Sequence, residues 1–127
     1  MGAPLAGYLN VDHPVQQQIV QSVSHFSGLP ADKLIRGTDG CSAPNYAMPL
    51  EALALAFAKL TLTEPDPIYG DTPHRIAKAM SKHPEWVSGQ GRNDLTLMTA
   101  GGGDWVSKVG ADGVQVLASF SRGVAIA

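Results

Sequence analysis

Apolar positions recur at helical spacing through most of the chain and at strand spacing near its end. Val15, Ile19, Val23 and Phe26 lie three or four apart over a glutamine-rich opposite face, which predicts a first helix. Asp12 stands as its N-cap ahead of His13-Pro14, and Gly28 ends it. Residues 1–11 carry little pattern. Pro30-Ala31-Asp32-Lys33 reads as a short turn, after which Leu34-Ile35 leads into a loop from Gly37 to Pro49. The second helix, Leu50 to Leu60, is apolar nearly all round, as expected of a helix at the centre of a domain, and it tethers the preceding loop to the core. Beyond a proline-rich connection from Glu64 to Gly70, Asp71 or Thr72 caps a third helix with Pro73 in its first turn. That helix carries Ile76, Ala77 and Met80, stops near His83-Pro84, and is followed by one more turn at Glu85-Trp86-Val87. Leu95 to Ala100 forms a short helix opened by Gly89-Gln90-Gly91-Arg92-Asn93-Asp94.

Past Gly101-Gly102-Gly103 the period becomes two. Trp105 to Val109 reads as a strand, Ala111-Asp112-Gly113 as a hairpin turn, and Val114, Val116, Ala118 and Phe120 as alternate positions of a second strand. A third strand starts at Val124. Helices gathered ahead of a small antiparallel sheet predict an α+β fold, with residues 1–127 forming a single domain or part of one. An apolar strand that breaks off as soon as it starts leaves an edge that proteins normally cover, so the chain reads as a piece of a larger unit.

Composition narrows the functional classes. Hydrophobic residues at 44% and charged residues at 16% are ordinary for a globular protein and argue against disorder. A net charge of -2 without a basic cluster gives no footprint for nucleic acid or an anionic membrane. No stretch approaches the roughly 20 apolar residues of a membrane span. A single cysteine forms no internal disulfide, which fits a reducing compartment and makes the cytoplasm the expected location.

The candidate chemistry begins with that cysteine. Gly37 and Gly40 on one side and Pro44 and Pro49 on the other place Cys41 on a stiff, bent connection, with Asp39 two residues before it. A carboxylate discourages a thiolate unless a cation offsets it, so Asp39 beside Cys41 favours metal or lysine chemistry over a simple nucleophilic thiol. The plainer alternative is a small buried hydrophobe. Lys108 is the second candidate, because it interrupts an apolar strand: partial burial would suit it to act as a base, whereas an edge-strand lysine facing water guards against aggregation, and the second reading is the stronger. Arg92, glycine-flanked at a helix start, has the fork geometry to bind a substrate carboxylate, or it pairs structurally with Asp94 or another acid. His13, His25, His74 and His83 lack a two-ligand helical spacing, and capping suits His13 and His83 better. Ser42 adjoins Cys41, yet no Ser-x-x-Lys occurs.

Several ordered motifs carry a family likeness. Asp39-Gly40-Cys41-Ser42-Ala43-Pro44, Leu50-Glu51-Ala52-Leu53-Ala54, His83-Pro84-Glu85 with Gly89-x-Gly91-Arg92-x-Asp94, and Lys108-Val109-Gly110-Ala111-x-Gly113 together resemble the asparaginase II family of the Rhizobium etli type. The opening, Gly7-Tyr8-Leu9 with Asp12-His13-Pro14, is similar to the start of that family's second half. The resemblance implies hydrolysis of L-asparagine to L-aspartate and ammonia on a fold like that of serine β-lactamases and penicillin-binding proteins. It implies a serine nucleophile activated by one lysine, with Lys108 as a second, strand lysine that helps with proton transfer. It also implies a zinc site in which Cys41 is one ligand and Asp39 the adjacent acid. The family segments that supply the serine, the second cysteine and the ligand lysine have no counterpart here, so the chain covers the later part of the family pattern. The expected partner is a small amide substrate, with homo-oligomerisation. Two alternatives stand beside this: a non-catalytic module self-associating through the edge near Val124, and a serine amidohydrolase acting on glutamine or a β-lactam.

Overall fold

The computed structural model describes residues 2–127. Helix α1 spans Pro14–Ser27 and stops at Gly28, whose left-handed conformation lets its N–H reach back to the Ser24 carbonyl. Its N-cap is His13 rather than Asp12: the imidazole Nδ1 accepts the Val15 N–H at 3.2 Å, and Pro14 occupies the first helical position, where a missing N–H costs nothing. His13 Nε2 also lies 3.0 Å from the Pro4 carbonyl, Gln16 donates to Tyr8 O, and Gln17 donates to Val11 O. The glutamine-rich face therefore straps the patternless N-terminal segment onto α1.

Strand β1, Ile35–Thr38, and strand β2, Pro44–Ala47, pair antiparallel with Gly37 opposite Asn45. The expected loop is thus a hairpin. All of β1 is exposed, while Pro44 and Tyr46 of β2 are half-buried and β2 runs almost directly into α2 at Leu50. Helix α2, Leu50–Thr61, packs on α1, on helix α3 (Thr72–Lys82) and on the C-terminal sheet, yet Leu50 and Leu55 remain exposed. Its all-round apolar character is therefore only partly used. Between α2 and α3, Asp66 Oδ1 accepts the N–H groups of Ile68 and Tyr69, and its Oδ2 lies 2.7 Å from His25 Nε2, which ties this connection to α1. Burial works against ionising Asp66, but these hydrogen bonds and the His25 charge prevail and hold its carboxyl below the usual range.

Helix α4, Glu85–Ser88, and helix α5, Asn93–Ala100, lead to the sheet. The start of α5 is capped from a distance, Leu95 N–H donating to Ser88 Oγ. Strands β3 (Trp105–Val109), β4 (Gln115–Ser119) and β5 (Val124–Ile126) form an antiparallel sheet in that order, Lys108 opposite Val116 and Ala118 opposite Ala125. Gly101 is obligatory at the turn into β3, since a Cβ there would meet the Trp105 side chain at 2.5 Å. Asp104 accepts from Ser119 Oγ and the Ser121 N–H, and those two bonds keep its carboxyl below the ordinary value.

The core is small. Ala77 of α3, Met98 of α5, Val106 of β3 and Ala118 of β4 are sealed from solvent, with Phe57, Leu60, Met80, Val87, Phe120 and Ala125 packed around them. Ile76, one of the apolar positions of α3, faces outward, as does Trp86. The fold is α+β, as expected. No helix among the described residues is long and apolar enough to cross a membrane. Truncating Met98 to alanine should lower stability by about 2–4 kcal/mol, because the cavity is enclosed on all sides. Urea unfolding should show an earlier midpoint at unchanged slope.

Candidate functional site

The four residues singled out in the sequence fall on different parts of the molecule. Asp39 and Cys41 sit at the tip of the β1–β2 hairpin, where Gly40-Cys41-Ser42 forms a three-residue loop. Ser42 N–H bonds to the Asp39 carbonyl and Asp39 N–H to the Ala43 carbonyl, both at 2.9 Å. The positive φ this loop needs, 66°, falls on Ser42 and not on Gly37 or Gly40. Gly37 has another reason to be glycine: a Cβ there would stand 2.6 Å from the Asn45 side-chain oxygen. Asp39 Oδ1 accepts the Gly40 N–H, and its Oδ2 lies 3.8 Å from Cys41 Sγ. The thiol is exposed, which removes the small-hydrophobe alternative.

As a zinc site this hairpin falls short on its own residues. Asp39 and Cys41 supply two donors, and among the described residues no group of three or more His, Cys, Asp and Glu side chains is placed to hold a metal ion. Zinc in proteins is typically held by at least three side chains. The residues in hand do not fit a zinc ion without donors from elsewhere.

Arg92 precedes α5 as its N-cap residue, is exposed, and joins no ion pair among the described residues. The expected alternative, pairing with Asp94, does not occur. Asp94 instead turns inward and is completely buried. Its Oδ1 accepts from Gln115 Nε2 at 2.9 Å and from Ser107 Oγ at 3.2 Å, while Gln115 also donates to Ser107 Oγ at 2.8 Å. Its Oδ2 has no hydrogen-bond partner among the described residues and lies 3.9 Å from Lys108 Nζ. Lys108 is on the outer strand of the sheet with its side chain 47% exposed, and its ammonium donates to the Val109 carbonyl at 2.6 Å. The lysine is thus neither sunk in an apolar face nor free in water: it lies along the strand edge, beside a buried carboxylate.

Burial by itself would raise the Asp94 carboxyl. The bonds from Gln115, the Val109 amide and Ser107, with the Lys108 charge behind them, outweigh that and hold it below the ordinary carboxylate value. A buried acceptor left unmet costs on the order of 1–3 kcal/mol, so the empty Oδ2 beside a cation is an unusual feature of the site. Sequence reasoning treated Asp94 only as a partner for Arg92. The signal that pointed inward was the pair of polar residues, Ser107 and Gln115, set in otherwise apolar strands.

Against models of protein families, the whole chain, residues 1–127, matches L-asparaginase II. The chain belongs to this family. A search of curated proteins finds no match. Family membership places this asparaginase-family chain among the amidohydrolases, in agreement with the motifs that carried the resemblance.

Asp94 also sets a pH dependence. A carboxyl whose folded value is depressed stabilises the fold above its unfolded value, about 3.9, and that contribution is lost as pH falls through the lower folded value. Asp94→Asn should therefore flatten the fall in unfolding free energy on acidification from about pH 5 downward. Urea titrations of both proteins across that window would check it, and parallel slopes would contradict it.

Proposed function

We propose that this chain contributes the strand lysine and the hairpin acid and thiol to an asparaginase that releases ammonia from the side-chain amide of L-asparagine. The observation that carries the reading is the placement of Lys108 on the sheet edge with its ammonium beside a buried carboxylate, within a chain that matches L-asparaginase II along its full length. Amide hydrolysis needs a hydroxyl nucleophile relieved of its proton and a donor that protonates the leaving nitrogen. Lys108 has the exposure and reach to serve both steps at one atom, Nζ. Arg92, exposed and unpaired, is suited to the α-carboxylate of the substrate through its two-pronged donor geometry. The nucleophile in this reading is a serine outside these 127 residues, in keeping with the absence of Ser-x-x-Lys. Zinc enters only at Asp39 and Cys41, with the remaining donors also supplied from outside the chain. The sheet resembles the strand region of a serine β-lactamase in this reading. Side-chain amides of glutamine make the same chemical demand.

A second reading is favoured by the outer edge of β5. Val124 and Ile126 are 53% and 68% exposed, and among the described residues the strand has a neighbour on one side only, an edge suited to self-association of a non-catalytic module.

The deciding measurement is ammonia release from L-asparagine by the purified chain with zinc present, beside Cys41→Ala and Lys108→Ala. If the nucleophile lies outside the chain, the 127 residues alone should give no turnover. The same substitutions in an assembly containing the missing segments should lower kcat by at least about a hundredfold for Lys108→Ala, the scale of a lost proton-transfer group. Turnover by the chain alone would overturn the outside-nucleophile part of the reading. Size-exclusion chromatography separates the second reading, for which a monomer at all concentrations would be fatal.

A further inference from the structure

We propose that Asp94 is the positioning residue of Lys108: its empty Oδ2 takes up the ammonium whenever the side chain leaves the Val109 carbonyl, so that one lysine has two docking points along the β3 edge. The inference rests on the reading of Lys108 as the proton carrier. Three observations support it. The side-chain bonds to Asp94, from Gln115 and Ser107, both fall on Oδ1, with the Val109 amide close by, which leaves Oδ2 oriented and without a side-chain donor among the described residues. The Lys108 ammonium has three donors and spends one of them on Val109 O. The gap of 3.9 Å is about 1 Å longer than a charge-assisted N–H···O bond, a distance that the flexible four-carbon stem closes by rotation. No other Lys, Arg or His lies within ion-pair distance of Asp94 among the described residues.

The two docking points correspond to the two charge states a proton carrier must visit. When Nζ takes a proton from the attacking hydroxyl it becomes an ammonium, and the Asp94 carboxylate is the acceptor that stabilises it. When it passes that proton to the leaving amide nitrogen it becomes a neutral amine, for which the Val109 carbonyl suffices as acceptor of one N–H. Asp94 neither gains nor loses a proton in this cycle and touches no substrate.

Asp94→Asn tests this with little change of shape, since the amide oxygen can keep the bonds from Gln115 and Ser107 while an NH2 group replaces Oδ2. Pulse acylation of lysines with acetic anhydride, read by peptide mass spectrometry, should modify Lys108 roughly two- to fivefold faster in the variant, with Lys33 and Lys82 as internal references. An unchanged relative rate in a folded variant overturns the proposal. Should Asp94→Asn fail to fold, Lys108→Met reads the same pair from the other side. Loss of the cation raises the folded value of the Asp94 carboxyl, so acid unfolding should set in at higher pH, and an unmoved midpoint overturns the proposal. Neither readout depends on turnover. Both shifts without asparagine hydrolysis in the completed assembly would sink the functional reading and leave the pair standing, whereas hydrolysis without either shift would sink the pair alone.

Discussion

The close approach of two helices to the sheet, over Ala77, Met98, Val106 and Ala118, is the constraint on which the rest depends. Two of the four are alanines, and their small size lets α3 and the sheet backbone come together without a gap that larger side chains would have to fill. The same contact fixes α5 along the outer strand β3 and thereby delivers Asp94 to Ser107, Gln115 and Lys108. Core and candidate site therefore share one support. A bulkier residue at position 77 or 118 would push the layers apart and loosen the carboxylate network as well as the packing.

Much of this architecture was legible because it rests on periodicity. Helices α1, α2 and α3 and strands β3 and β4 lie within a few residues of their predicted places, since each has one face that must be buried. The β1–β2 hairpin was missed for the complementary reason: with its strands largely exposed, no alternation of apolar residues records the pairing, and only the turn around Gly40 marks it. The N-cap moved from Asp12 to His13 because Pro14 sets the helix start one residue later than the acid suggests. Apolar character alone also overstated burial for Leu50 and Ile76, as it reports what a residue tolerates and not what packs against it.

The candidate site was half legible. Lys108 was found as an edge-strand lysine, the stronger of its two readings, whereas its neighbour Asp94 was considered only beside Arg92, one of the alternatives that sequence proximity offered. Helix geometry decides otherwise: the N-cap position leaves Arg92 on the surface, while two residues on, Asp94 points into the fold. Asp39 and Cys41 lie at the turn of the β1–β2 sheet, and Lys108 on the other, three-stranded sheet.

The position of Cys41 has a practical side. It is the only thiol in the chain, and it stands in solvent at the tip of a projecting hairpin. Two such tips meeting in air-exposed solution would join through an intermolecular disulfide, giving covalent dimers whose mass mimics a native assembly. The same geometry makes the thiol a ready single attachment point for a fluorophore or spin label, at a place where the fold itself would hardly sense the addition.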